Sequence, residues 1–332
     1  MKKMYWGQFL ALTFCLFLGS CDLHQQNDLE PAIAKNDEKI DLKEGLLRFS
    51  SIEVFQASIK GLKTDEDINS WERRFNGFVS LKNHYDELVK NDVGEVIKTG
   101  MIAKYQYAYK IEKDVKGIDD YVQAVKDNAL ASILNKDGLV QIGDNIYRVN
   151  DEHILKANIR YKADLLQGIN ANNVQVQNVT NLPVNEKHLV KARLSGEVDG
   201  YDDVYYTPWS GASQRRFSIN WWAKQYCWLG YISMGMDVSH KRNNWWGWGA
   251  IDASNWQGQS NGTFVYSVQE TYSLYRTVNA SSSSYEQLRI EVPSSTCSGD
   301  GNRSLNFTEL YINVTGNDGV RRYFSHAFST TI

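Results

Sequence analysis

An excess of basic charge is the first thing missing from this sequence. Its 36 lysines and arginines face 39 aspartates and glutamates, a formal net charge of −3 over 332 residues. No cationic field of the kind that holds nucleic acid through its phosphates is present. Recognisable catalytic constellations are missing too: there is no G-x-S-x-G elbow, no H-E-x-x-H, no P-loop and no paired-cysteine zinc motif. The six histidines are widely spaced, so neither a metal site nor a cofactor is indicated. Cysteine is scarce, with four in all. The one long apolar run, Met4 to Leu18, has about fifteen residues, whereas a bilayer span needs roughly twenty. That argues against a transmembrane anchor.

What is there begins with export. Lys2 and Lys3 precede the apolar run, and a small-residue site follows it, the order of a secretory signal over residues 1–20. Leu18-Gly19-Ser20-Cys21 resembles a bacterial lipobox, in which the cysteine is acylated and becomes the first residue of the mature protein. The expectation is a lipid-anchored protein of the cell envelope, at the outer membrane or cell surface. Cys15 leaves with the signal and Cys21 takes the lipid, so Cys227 and Cys297 remain. An oxidising compartment favours a disulfide between them, with two inert buried thiols as the alternative.

Residues 21–48 are polar, acidic and nearly free of aromatics, which suits a flexible tether. From 49 to 162 a helical region is expected, because Trp71, Phe75, Phe78, Lys82, Tyr85 and Leu88 recur at three- and four-residue steps. It ends in a β-hairpin, signalled by Asp137-Gly138 and Gly143-Asp144 between short alternating runs. The stretch "MIAKYQYAYKI" fits helix and strand alike. Residues 163–190, rich in Asn, Gln and Val, mark a boundary. Beyond it, 191–332 reads as an antiparallel β domain: "LRIEV" and "TELYINV" alternate, and "TGNDGV" turns into "RRYFSHAF". The fold class predicted is α+β, a helical region with a β-hairpin followed by a β-sandwich-like domain. His326, on a strand face with Phe324 and Phe328, is expected to be a satisfied core histidine.

The segment 128–157, with its "N..G..QIGD.IYRV" pattern, and a Trp-bearing β region containing "RRF", "GYISMGMD" and "HKRNNWWGWG", resemble uncharacterised secreted lipoproteins of Bacteroidota. The resemblance implies a location and a domain order. It implies no reaction, and no catalytic residue is carried over from it.

Two constellations remain. Glu197, Asp199, Asp202 and Asp203 in "GEVDGYDDVYY" can supply two carboxylates for glycoside hydrolysis, although acidic residues in such a turn serve the backbone equally well. The tryptophans are the stronger signal, since eight of ten lie between Trp209 and Trp256. In a strand through "FSINWWAKQYCW", Phe217, Ile219 and Trp221 share one face and Trp222 takes the other. One ring of each consecutive pair then points outward unless both sheet faces are covered. Trp221 is expected to be buried, and at least one of Trp222, Trp245 and Trp248 to be exposed. Trp222, Trp245, Trp246 and Trp248, flanked by Arg215, Arg216, Lys241 and Arg242, form a candidate face for stacking on a glycan or polymer. The other two readings are a structural or protein-interaction module of the envelope, and a glycoside hydrolase using the acidic group.

Overall fold

The computed structural model describes residues 39–182, 185–187, 197–200, 203–267, 270–293 and 304–331. The expected signal, Cys21, most of the expected tether, Asp202 and Cys297 lie outside them.

In the N-terminal half, strands β1 (Ile40–Lys43) and β2 (Leu46–Phe49) lead into helices α1 (Ile52–Gly61), α2 (Asp65–Arg73), α3 (Leu81–Lys90) and α4 (Val93–Lys98). Strands β3 (Tyr109–Lys113) and β4 (Asp119–Gln123), helix α5 (Asn128–Ile133), strands β5 (Leu139–Ile142), β6 (Asn145–Val149) and β7 (His153–Asn158), helix α6 (Lys162–Gln167) and strand β8 (Gln175–Asn178) complete it. The later chain is strands: β9 (Thr180–Asn181), β10 (Asn185–Lys187), β11 (Glu197–Gly200), β12 (Val204–Tyr206), β13 (Arg215–Tyr226), β14 (Tyr231–Asn244) and β15 (Gly247–Ala250). Then come β16 (Ala253–Ser267), β17 (Glu270–Ser283), β18 (Tyr285–Pro293), β19 (Ser304–Thr315) and β20 (Arg321–Thr331). The protein is therefore mostly β with a few short helices, and the region expected to be helical is interleaved with strands.

Local chemistry explains the helices. The helical periodicity from Trp71 to Leu88 breaks at Gly77, whose φ of 81° belongs to the left-handed region, and two helices result. Thr64 and Asp67 cap α2 reciprocally, each side chain accepting from the other's backbone N–H. Ser80 caps α3 by accepting from the Asn83 N–H at 2.9 Å. The ambiguous stretch "MIAKYQYAYKI" resolves into a 3-10 turn, Met101–Tyr105, followed by β3.

Three sheets form among the described residues. One has the order β1-β2-β5-β6-β7-β8 and contains the expected hairpin, β5 against β6. A second runs β10-β20-β19-β16-β17. The third, of eight strands, runs β12-β13-β14-β15-β4-β3, with β18 also on β14 and β9 also on β13. Strands β3 and β4 thus join the sheet built by the later chain, through a parallel contact of Trp248 with Asp120. The sheet crosses the boundary expected at 163–190, and Ile33–Ile332 is one compact unit.

The eight-stranded sheet has two unlike faces. On one, Phe217, Ile232, Met234, Met236, Val238 and Leu288 pack against Trp256, Leu310, Ile312, Val314 and Phe324 of the second sheet, the apolar interior of a sandwich. On the other, Arg216, Ser218, Asn220, Trp222 and Lys224 of β13 register with Lys241, Ser239, Asp237, Gly235 and Ser233 of β14. This polar face is covered by α1, α5 and the segment 114–151.

Candidate functional site

Three buried aspartates from the covering layer meet the polar face. Asp120 is bound by the Arg216 guanidinium and by Lys241 Nζ at 2.7 Å. Asp127, which caps α5 through the Ala129 and Leu130 N–H groups, receives the hydroxyls of Tyr231 and Ser233 and ion-pairs with Arg289 at 2.7 Å. Asp151 ion-pairs with Lys224 at 3.2 Å and accepts from the Tyr226 hydroxyl at 3.2 Å. Burial alone would raise the Asp127 carboxyl, yet Arg289, Ser233 and Tyr231 hold it below the ordinary range. Each charge is matched, which is what such a buried polar interface requires.

The covering layer does not reach everywhere, and a cavity of about 630 Å³ remains over the middle of the polar face. Its buried wall includes Gln123, Asn128, Asp237, Ser239, Lys241 and Glu286, while Asp65, Asp86, Lys90 and Asp252 stand exposed at its mouth. Register places these groups together: Asp237 of β14 lies between Asn220 of β13 and Gln287 of β18, and Ser239 lies beside Tyr285.

Asp237 accepts from Asn220 Nδ2 at 2.9 Å. Burial pushes its carboxyl up to about 6, against the opposing pull of Lys126, Asn220 and Lys241. Burial, followed by the negative charge of Asp65, raises Glu286 to about 7. Gln287 joins the floor to α5, its Nε2 donating to the Lys126 carbonyl at 2.7 Å and its Oε1 accepting from the Asn128 N–H at 3.2 Å. Three buried atoms of lining residues, Gln123 Nε2, Asn128 Oδ1 and Ser239 Oγ, have no hydrogen-bond partner among the described residues. Buried polar groups are ordinarily satisfied, and these three atoms are closed off from solvent rather than open to the cavity.

The tryptophan face expected from the sequence is largely dismantled. Trp222 is 2% exposed, not an outward plate: its indole lies across Gly235, where a Cβ would come within 2.5 Å of the ring, and its Nε1 donates to Ser233 Oγ at 2.8 Å. Trp221, expected to be buried, is 38% exposed. The inversion has two causes. The polar face is covered after all, and β12 and β9 pair with only the two ends of β13, so Trp221 sits where that edge is uncovered.

Trp248 is 2% exposed, donating from Nε1 to Asp114 Oδ2 at 2.9 Å beneath the Arg216 guanidinium, which lies 4.7 Å from the ring centre. Trp246 is half-buried against Gly94 of α4, where a Cβ would come within 2.1 Å of its Nε1. Arg215, Arg216 and Lys241 are buried. Of the eight proposed face residues only Trp245, at 76% exposure, and Arg242 are exposed.

Asp203 is engaged as an ion-pair partner of Arg216 at 3.0 Å and accepts from the Ile219 N–H at 3.2 Å. Glu197 and Asp199 lie on β11, paired parallel with β20; their side chains, like that of His326, lie outside the described residues. Cys227 is disulfide-bonded. The cavity itself was missed from sequence because its groups come from seven separate segments; the alternating polar residues at Asp237, Ser239 and Lys241 were its available signal.

No family model and no curated protein matches the chain. Among solved structures, a DUF4848 family protein from Bacteroides thetaiotaomicron is similar, at 12% identity, covering 86% of this chain and 98% of that one with a TM-score of 0.27.

Proposed function

We propose that this chain is a lipid-anchored envelope protein whose folded body binds a small polar ligand in the cavity on the polar sheet face, without chemical conversion. The observation that supports the reading is the cavity itself, about 630 Å³ in volume, with Asp237, Ser239 and Lys241 of one strand in its buried wall. Its volume falls within the roughly 300–1,000 Å³ of small-molecule sites. The anchor rests on the lipobox ending at Cys21, and a Cys227–Cys297 disulfide accords with the same compartment.

The test is a thermal-shift screen of polar metabolites on the full chain and on Ser239→Phe, which fills the cavity floor. A ligand that raises the melting temperature of the parent should lose that effect in the variant. Turnover of the same ligand would replace the binding reading with an enzymatic one. Separately, Cys21→Ala should leave the protein in the soluble fraction; full membrane retention would refute the lipid anchor. A second reading, contact of a glycan or an envelope protein through exposed indoles, is favoured by the exposure of Trp245 and of Arg242, three positions before it. Trp245→Ala weakens binding only under that reading.

A further inference from the structure

We infer that one end of the eight-stranded sheet contacts an anionic lipid surface: the turns 114–118, 207–214 and 245–246 lay Val115, Trp209 and Trp245 into the bilayer interface, with Lys116 and Arg242 against the headgroups. The inference is independent of the cavity. It needs a membrane within reach, which the lipid at Cys21 supplies, and so rests on the anchor of the proposed function.

Topology brings the three turns to the same end. Tyr206, the last residue of β12, registers with Arg215, the first of β13, and Arg215 registers with Arg242 near the end of β14. Strand β15 returns from that end beside β4, with Trp248 opposite Asp120, while Lys113 registers with Asp119 across the β3–β4 hairpin. Gln214 ties the turns together: its carbonyl accepts from the Asn243 N–H at 2.9 Å, and its Oε1 accepts from Lys116 Nζ at 2.9 Å. Their close approach also requires glycine at 247, with φ 131°, where a Cβ would come within 2.3 Å of the Asp119 carbonyl oxygen.

Each turn exposes one large apolar side chain. Val115 is 87% exposed, Trp245 76% and Trp209 59%, the three highest values for large hydrophobics among the described residues, and all three fall at this end. Such a coincidence marks an interaction surface, and an indole, apolar with one N–H, suits the headgroup level of a bilayer. Charge complements the lipid. The loop 207–214 carries no charge, and the exposed Lys116 and Arg242 donate only to neutral side chains, Gln214 and Asn244. The acids nearby are spoken for: Asp114 is buried and accepts from Tyr205 and Trp248, Asp119 pairs with Lys113, and Asp318 of the adjoining turn pairs with Arg322. A small ligand is ordinarily held in a concave site, whereas separate apolar tips with cations behind them suit a fluid surface that closes around each.

The experiment reconstitutes the acylated full chain in phosphatidylcholine vesicles with and without phosphatidylglycerol. Nitroxide labels are placed at Val115→Cys and, as a control, at Thr180→Cys, exposed on β9 at the opposite end of β13. Accessibility to oxygen and to aqueous nickel is read for both. The Val115 label should be open to oxygen and shielded from nickel, and the Thr180 label the reverse. Brominated phosphatidylcholine should quench tryptophan fluorescence, and the double variant Trp209→Tyr, Trp245→Tyr should lose most of that quenching. Phosphatidylglycerol should raise the docked-to-free ratio of the Val115 label by about tenfold, an effect that Lys116→Gln with Arg242→Gln removes. Circular dichroism checks that the variants fold.

A Val115 label as open to nickel as the Thr180 label, in a chain that floats with the vesicles, would overturn the contact while leaving the anchor in place. Quenching that persists unchanged in the Trp209, Trp245 double variant would overturn it as well. A glycan that protects Trp245 from aqueous acrylamide while Val115 stays in water would hand the indoles to the glycan reading instead. A chain that does not float with vesicles at all would remove the anchor and this contact together.

Discussion

The two faces of the eight-stranded sheet are built from the same strands, yet they solve burial in different ways. Toward the sandwich, Ile232, Met234, Met236 and Val238 meet apolar partners, and shape with dispersion suffices. Toward the N-terminal layer, Ser233, Asp237, Ser239 and Lys241, drawn from the same strand β14, are buried as well, and each needs a partner. Asp120, Asp127 and Asp151 supply several of these partners. Where no aspartate arrives, the cavity begins. An apolar face can close over almost any neighbour, whereas a polar face closes only where donors and acceptors match, and the remainder stays open as a cavity.

The largest effect should come from breaking the polar interface. Asp127→Ala strands Arg289 in a buried site and removes the cap of α5, and should cost about 3–5 kcal/mol in urea or thermal unfolding. Met234→Ala, on the apolar face of the same strand, should cost roughly 2–5 kcal/mol. A loss at Asp127 smaller than that at Met234 would mean that apolar packing dominates both faces.

The third prediction concerns pH. Asp237 and Glu286 stand at about 6 and about 7 in the fold, above their ordinary 3.8 and 4.5. The folded state therefore holds these protons more tightly than the unfolded chain. Their contribution is fully present below about pH 4 and is lost as pH rises through about 6 to 7. The double variant Asp237→Asn, Glu286→Gln should be more stable than the parent at pH 8, by on the order of 2 kcal/mol, with the difference vanishing near pH 4. Urea titrations at pH 4.5, 6 and 8 check this, and a pH-independent difference between the two proteins would refute it. Asp127 works in the opposite sense, its stabilisation being lost as pH falls below the ordinary carboxyl range, so the window chosen lies above it. The smallest effect is expected at Trp245→Ala, within about 0.5 kcal/mol of the parent, because its ring is exposed.

Much of the strand content was legible, because alternation in "TELYINV" and turn signals at Gly143-Asp144 act locally. The expected helical periodicity around Trp71 and Leu88 was real but spans two helices, since Gly77 interrupts it. Trp222 illustrates what escaped. Its neighbours in sequence say only that it opposes Trp221 across the strand; its burial depends on Gly235, thirteen positions away, and on a covering layer whose segment 114–151 lies far earlier in the chain. Asp203 joins the Arg216 cluster, whereas Asp237, on the polar face of an alternating strand, carries the raised carboxyl of the cavity floor.

Short-range information in the chain determined which residues form strands, where the caps and tight turns fall, and the polar-apolar alternation along β13 and β14. Those properties follow from backbone sterics and neighbours a few positions apart. Which face of the sheet would be wet, covered or hollow was decided by tertiary structure alone. Covering depends on segments 114–151 and 215–293 meeting in space and on their charges pairing one by one, and no local pattern encodes the gap left where that pairing stops.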